Sequence, residues 1–176
     1  AASVTPQPAP KQLSVIGLGY VGLPLAIGLA RHYTVVGYDL SERRIASLRA
    51  GHDWTHEVPD ADVVVTTCRF ESKAAAMAGS DIFIVAVPTP VFEDTRKPDF
   101  RPVVGACEAV GPMLKPGNIV CFESTVYPGA TEEICAPILE EKSGLKCGKD
   151  FWLGYSPERM NPGDPVHRSE EHTSEL

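Results

Sequence analysis

The chain has 176 residues, 43% of them hydrophobic, 22% charged and 7% aromatic, which is the composition of a globular protein with material for one ordinary core. Sixteen basic residues against 23 acidic ones leave a net charge of −7, and a surface of that sign disfavours nucleic acid and anionic membranes. Cys68, Cys107, Cys121, Cys135 and Cys147 form no Cys-x-x-Cys pair and no zinc spacing, so they point away from a metal site or a disulfide scaffold and toward a reducing, cytoplasmic setting.

Residues 1–11 carry three prolines and no apolar period, and read as a flexible leader before a domain spanning 12–167. Leu13 to Ile16 is a short apolar run ending at glycine, Tyr20 to Ala30 is apolar on several faces, and Thr34 to Tyr38 is β-branched and aromatic, so a strand, a helix and a strand are expected. Pro24 falls in that helix's first turn, where its missing N–H has no intrahelical partner to lose.

The alternation continues with a helix from Ser41 to Arg49 capped by Ser41, a strand Asp62 to Thr66, a helix near Glu71 to Ala78 and a strand Ile82 to Val87. A polar loop from Pro88 to Asp99 leads to a helix Pro102 to Leu114, a strand Ile119 to Glu123, a helix Ala130 to Glu141 and a sixth strand Phe151 to Tyr155. Unbroken apolar strands alternating with helices predict an α/β fold: a doubly wound, Rossmann-type, mostly parallel six-stranded sheet with helices on both faces. Residues 168–176 have no structural period and match what one frame of a widely used sequencing adapter encodes, so they are read as a non-native tail.

Gly17-Leu18-Gly19-Tyr20-Val21-Gly22 is a G-x-G-x-x-G motif with a strand before it, a helix after it and an acid, Asp39, closing the next strand. Gly17 makes the tight turn, Gly19 lets the backbone approach a pyrophosphate, and Gly22 lets the helix pack on the strand. The helix N-terminus then meets the phosphates. Asp39 would accept from an adenosine ribose and repel a 2′-phosphate, which favours NAD over NADP. Arg43 and Arg44 stand open between two roles, accommodation of a 2′-phosphate and a solvated helix face.

Val87-Pro88-Thr89-Pro90 follows the fourth expected strand and Glu123-Ser124-Thr125 the fifth, at the strand ends where open α/β sheets bind ligands. Thr89 and Thr125 are candidates there, and capping or turn chemistry is the equal alternative. Ser124 and Thr125 lack a histidine nearby in sequence and are discounted as nucleophiles. After the sixth strand, Glu158 and Arg159 bring a carboxylate and a guanidinium to the same sheet edge, with an ion pair in a proline-rich turn as the plainer reading. The histidines, Trp54 and Trp152 have no motif context and are assigned to packing.

Taken together, Gly17 to Gly22 with Asp39, Val87 to Pro90, Glu123 to Thr125 and Ser156-Pro157-Glu158-Arg159-Met160-Asn161-Pro162-Gly163-Asp164 resemble the UDP-glucose/GDP-mannose dehydrogenase family over nearly all of Leu13 to His167. The last run is most similar to the branch that oxidises UDP-N-acetylhexosamines for bacterial surface polysaccharides, the UDP-N-acetylglucosamine 6-dehydrogenases of the Vi-antigen type. The resemblance implies oxidation of a sugar C6 alcohol to a carboxylate through a cysteine thioester, using two NAD, in a homo-oligomeric parent protein. It implies NAD contacts from Tyr20, Val21, Asp39, Arg44, Thr89 and Thr125, with Thr125 also near the reacting C6. It places Glu158, Arg159 and Met160 near the UDP-sugar, Glu158 assisting thioester hydrolysis.

The family's catalytic lysine and asparagine, its Gly-x-Cys nucleophile and its second α/β domain are expected to lie outside these 176 residues. The five cysteines present are read as buried inert thiols standing outside that Gly-x-Cys context, and the chain as inactive alone. A free-standing NAD-binding or interaction module is the alternative from another class. A different β-hydroxyacid-type dehydrogenase would share the first motif and leave the Ser156 to Asp164 run unexplained.

Overall fold

The computed structural model describes residues 8–123, 129 and 131–155, and among the described residues no helix is long and apolar enough to cross a membrane. Thr125, Glu158, Arg159, Met160, most of the leader and the 168–176 segment lie outside the described residues. Lys11, expected in the leader, already belongs to the fold: its amide donates to Asp81 Oδ2 at 2.6 Å.

Six strands form one parallel sheet: β1 (Leu13–Ile16), β2 (Val35–Tyr38), β3 (Arg69–Glu71), β4 (Ile82–Val85), β5 (Ile119–Phe122) and β6 (Trp152–Tyr155). Their order is β3-β2-β1-β4-β5-β6. The register pairs Ile16 with both Tyr38 and Val85, so the C-terminal ends of three neighbouring strands finish level. The winding reverses between β1 and β4, which opens a crevice at their C-terminal ends.

Strand residues alternate between the two faces, and each face has its own core. Leu13, Val15 and Val35 join Leu18, Leu23, Ile27, Ile45 and Leu48 beneath helices α1 (Gly22–Ala30) and α2 (Glu42–Arg49). Ile16, Val36, Phe83, Val85, Val120 and Phe122 join Val103, Val110 and Leu139 beneath α4 (Arg101–Val110) and α5 (Ala136–Ser143), with α3 (Asp60–Val65) on the first face. A fully buried side chain of this size contributes about 1.5–3 kcal/mol, which is why the strands can be short. Ser14, buried in the middle of β1, is satisfied by the Ser80 hydroxyl at 2.6 Å.

Several elements differ from expectation, each for a local reason. Asp62 to Thr66 is not a strand. Pro59 precedes a helix whose first turn carries Asp60 and Asp62, and the amides of Asp62 and Val63 close back onto the Pro59 carbonyl. Acids at a helix N-terminus and a proline before it outweigh the β-branched run. Val63 alone enters the core, while Val64 and Val65 are 68% and 74% exposed, which a central strand would not permit. The third strand is Arg69–Glu71 instead, and the helix expected from Glu71 is only a 3-10 turn, Ala74–Met77, ahead of Gly79 at φ +87°. The helix Pro102 to Leu114 ends at Val110 and continues as a 3-10 turn, Gly111–Met113, because Pro112 has no N–H to extend the ladder. The helix from Ala130 begins as a π turn, Thr131–Cys135, before α5, which Gly144 terminates in the left-handed region at φ +74°. α1 begins two residues after Tyr20, at Gly22.

The tightest packing constraint is at Gly22. A Cβ there would run into the Gly17 carbonyl and lie 3.3 Å from Ala86 Cβ. Gly22→Ala should therefore cost about 3 kcal/mol, a fall in Tm on the order of 10 °C, as backbone rather than a flexible side chain must move. Gly28→Ala, in the exposed middle of the same helix with nothing within 4 Å, should gain up to about 1 kcal/mol. Thermal unfolding followed by circular dichroism checks both.

Candidate functional site

A cleft of about 480 Å³ lies across the crevice, lined by Gly17, Gly19, Asp39, Leu40, Val87, Pro88 and, from α4, Arg101 and Pro102. Its floor is the turn between β1 and α1. Gly17 adopts φ +93°, a conformation open to glycine, and its amide donates to the Tyr38 carbonyl at 2.9 Å. A side chain at Gly19 would meet nothing within 4 Å, so the space above this residue is open for a ligand.

α1 starts without a side-chain cap at Val21. Leu23 donates to the Gly19 carbonyl and Leu25 to that of Val21, while Pro24 has no N–H to place. The amides of the Gly19 to Gly22 turn are thus those an uncapped helix leaves for an anion. Tyr20, on the rim, is 57% exposed, and Val21 is half-buried.

Asp39 stands at the end of β2 with both carboxylate oxygens anchored. Oδ2 accepts from the Leu18 amide and Oδ1 from the Ser41 amide, each at 2.9 Å. The carboxylate is thereby fixed at the cleft wall, with lone pairs left for hydroxyl donors. Ser41 also caps α2 by accepting from the Arg44 amide at 3.1 Å, as its sequence position suggested.

Arg44 is not a solvated helix residue. It is 3% exposed, Nε donates to the Leu18 carbonyl at 2.8 Å, Nη1 lies 2.8 Å from Asp53 Oδ1, and the guanidinium carbon sits 5.3 Å from the Trp54 ring centroid. The Nη1 contact is an ion pair without hydrogen-bond alignment, and Nη2 has no hydrogen-bond partner among the described residues. Arg43, its neighbour, is exposed. Of the two roles left open for these arginines, the solvated face fits Arg43 alone.

Asp53 and Trp54 carry no motif, and their part in this arrangement was not legible in the sequence. Asp53 is 1% exposed and accepts from the Thr55 amide and hydroxyl and from the amides of Glu57 and Val58. Burial alone would push its carboxyl up, but the hydrogen bonds from Thr55 and Val58 and the Arg44 guanidinium beside it outweigh this and hold it at about 2.

Thr89 follows β4, and its Oγ1 is buried with no hydrogen-bond partner among the described residues. A buried hydroxyl left unsatisfied is a cost that a bound polar group would relieve, so the ligand reading gains over the capping one. Arg101, which the motifs did not single out, reaches the cleft from the first turn of α4. Asp99 holds it through hydrogen bonds of 2.8–3.1 Å from Nε and Nη2, and these keep the Asp99 carboxyl below its ordinary range.

None of the five cysteines lines this cleft. Cys68, Cys107 and Cys135 are buried; burial pushes Cys68 up to about 12, and the hydrogen bond that the Cys107 thiol donates to Cys135, together with burial, pushes Cys107 up as well. Contrary to expectation, a bare Gly-x-Cys triplet does occur, Gly105-Ala106-Cys107, but its thiol is fully enclosed in the core under α4. Cys121 and Cys147 are half-buried, and burial first, then neighbouring acids, raise both. Cys135 alone is lowered, by the hydrogen bond from Cys107, and it is fully buried in the core, so no described thiol is both lowered and open to a substrate.

Residues 11–173 match the UDP-glucose/GDP-mannose dehydrogenase family, NAD binding domain. The chain belongs to that family. It is 50% identical over 158 residues to UDP-N-acetyl-D-glucosamine 6-dehydrogenase of Pseudomonas aeruginosa and 48% identical over 163 residues to Protein CapL of Staphylococcus aureus. These matches cover 89% and 93% of this chain and only 37% and 38% of those proteins. In three dimensions the chain is similar to NDP-N-acetyl-D-galactosaminuronic acid dehydrogenase from Methanosarcina mazei, with TM-score 0.79, 31% identity and coverage of 88% of this chain and 36% of that one. UDP-D-ManNAc dehydrogenase from Pyrococcus horikoshii gives TM-score 0.76, 34% identity and coverage of 86% and 37%. As an NAD-binding domain of this family, the chain spans a little over a third of the length of these relatives.

The carboxyl of Asp53, lowered from its ordinary 3.8 to about 2, contributes stability that is complete above pH 4 and is lost as pH falls through 2. Asp53→Asn should therefore lower stability at neutral pH by about 2 kcal/mol, and the gap to the unaltered chain should close between pH 4 and pH 2. Urea unfolding at pH 7, 4 and 2.5 measures the gap, and a difference that stayed constant across this range would contradict the assignment.

Proposed function

We propose that the chain is the cofactor-binding part of a UDP-sugar 6-dehydrogenase that takes a UDP-N-acetylhexosamine. The oxidation turns the C6 alcohol into a carboxylate for surface polysaccharide synthesis in the cytoplasm, within a homo-oligomeric parent. The observation that carries the reading is the cleft at the β1/β4 switch point, where an uncapped helix N-terminus, an open glycine and an anchored acid converge. The 48–50% identity to Protein CapL and UDP-N-acetyl-D-glucosamine 6-dehydrogenase supports the choice of substrate class.

NAD, when bound, supplies the hydride acceptor. The residues here hold and orient it. The Gly17 to Gly22 turn, with Tyr20 and Val21, offers amides to the pyrophosphate, and Asp39 accepts from ribose hydroxyls. Thr89 Oγ1 offers a hydroxyl that has no hydrogen-bond partner among the described residues. Arg44 supports this wall from behind Leu18, through the Leu18 carbonyl. Thr125, after β5, is assigned to the cofactor and the reacting C6. Glu158, Arg159 and Met160, after β6, are assigned to the sugar nucleotide, with Glu158 in the hydrolytic step; these four roles rest on the resemblance of their motifs.

Calorimetry of the 176-residue chain should show NAD binding at least tenfold tighter than NADP, because an anchored carboxylate opposes a 2′-phosphate. Asp39→Ala should weaken NAD by roughly tenfold or more, the worth of hydrogen bonds to a charged group, and Gly19→Val should abolish binding. Equal affinities for the two cofactors would contradict the assignment of Asp39.

The same chain should not reduce NAD in the presence of UDP-glucose, UDP-N-acetylglucosamine or UDP-N-acetylgalactosamine. The second oxidation needs a reactive thiolate, and the loss of such a nucleophile typically costs several orders of magnitude. Sustained NADH production above a Gly19→Val control would show that Cys121 or Cys147 is more reactive than its surroundings imply.

A further inference from the structure

We propose that Asp53 is a specificity-determining residue of the cofactor site: by neutralising Arg44 where it grips the Leu18 turn, Asp53 keeps the ribose end of the cleft selective for NAD. The inference deepens the NAD reading and rests on it.

The geometry forms a short chain of contacts. Asp53 is fixed by its own loop, since Thr55, Glu57 and Val58 supply four donors that do not involve Arg44. Its Oδ1 is thus presented to Arg44 by a preformed support, at 2.8 Å. Arg44 in turn donates through Nε to the Leu18 carbonyl, and the Leu18 amide donates to Asp39 Oδ2. One residue of the glycine-rich turn is therefore gripped at its carbonyl by a cation and at its amide by the acid that faces the ribose.

An arginine in this position is the usual means by which a dinucleotide fold accommodates a 2′-phosphate. Here its charge is already cancelled. The guanidinium is 3% exposed, beside the Trp54 ring and in contact with a carboxylate that is itself 1% exposed, so solvent does little to screen the pair. Arg44 has a donor to spare, Nη2, but no net charge with which to attract a phosphate. Arg43, one position earlier, is exposed and screened. Glu42, at the start of α2, is also exposed, 4.0 Å from Lys73. Discrimination against NADP then has two sources: repulsion by Asp39 and the withdrawal of Arg44 by Asp53.

The experiment is a double-mutant cycle on the 176-residue chain, with NAD and NADP affinities measured by calorimetry and folding checked by circular dichroism. Asp53→Asn should reduce the ratio of NAD to NADP affinity at least fivefold by freeing the Arg44 charge. Asp53→Asn combined with Arg44→Met should bring the ratio back to within about twofold of the unaltered chain. A purely structural Asp53 would weaken both cofactors in proportion, so an unchanged ratio in a folded Asp53→Asn chain overturns the proposal.

Should Asp53→Asn fail to fold, Arg44→Met with Asp53 in place decides the matter. It leaves an uncompensated carboxylate behind the Leu18 turn and should raise the preference for NAD at least threefold, and an unchanged or reduced preference overturns the proposal. An unaltered chain that bound neither nucleotide would instead remove the NAD reading itself, a result separate from any change in ratio among variants that bind.

Discussion

The close approach of α1 to the end of β1 is the constraint on which the rest of the molecule depends. Gly22 can sit against the Gly17 carbonyl only because it has no Cβ, and Gly17 can turn at φ +93° only because it has none either. That contact brings the helix N-terminus over the strand ends. It also places Leu18 where its amide meets Asp39 and its carbonyl meets Arg44. The same two glycines therefore close the core between α1 and the sheet and open the cleft above it. Stability and cofactor recognition are here two consequences of one backbone approach.

A second layer of order comes from charged groups that have been taken out of water. Asp53 and Arg44 are both almost fully buried, and a buried pair of this kind is stabilising only when its remaining hydrogen-bonding capacity is used. Asp53 meets that condition through four donors from its own loop; Arg44 meets it in part, through Leu18. A buried ion pair is weak evidence for stability but a strong positional restraint, and the group it restrains is the turn that faces the cofactor. The thiols show the opposite strategy. Cys68 and Cys107 are placed where ionisation is costly, so they fill volume and leave the chemistry of the cleft undisturbed.

Much of this fold was legible in the sequence, for reasons that can be named. Leu13 to Ile16 and Ile82 to Val85 read as parallel strands because residues buried on both faces leave no polar alternation. The turn at Gly17 and the packing at Gly22 were legible because each answers a separate backbone demand, a positive φ at the one and the close Gly17 carbonyl at the other. The run Val63 to Val65 misled because β-branched residues suggest a strand wherever they cluster, while the deciding signal, Pro59 followed by two acids, stood a few residues upstream. Asp53 was illegible for a deeper reason. Its partner is nine positions away across a loop with no motif, and charged residues on a short helix such as Arg44 are exposed more often than not. Where the motifs lie beyond the described residues, as with Thr125 and Glu158, their roles stand on resemblance alone.

The central claim is that one cleft, at the ends of β1, β2 and β4, receives the dinucleotide. Titrating NAD into the isotopically labelled chain while following backbone amide resonances tests it most directly. The account predicts saturable shifts concentrated at Leu18 to Gly22, Asp39, Leu40 and Thr89, with little change at the opposite edge groove around Gly51, Val64 and Arg69. Shifts centred on that groove, or none at saturating NAD, would contradict it.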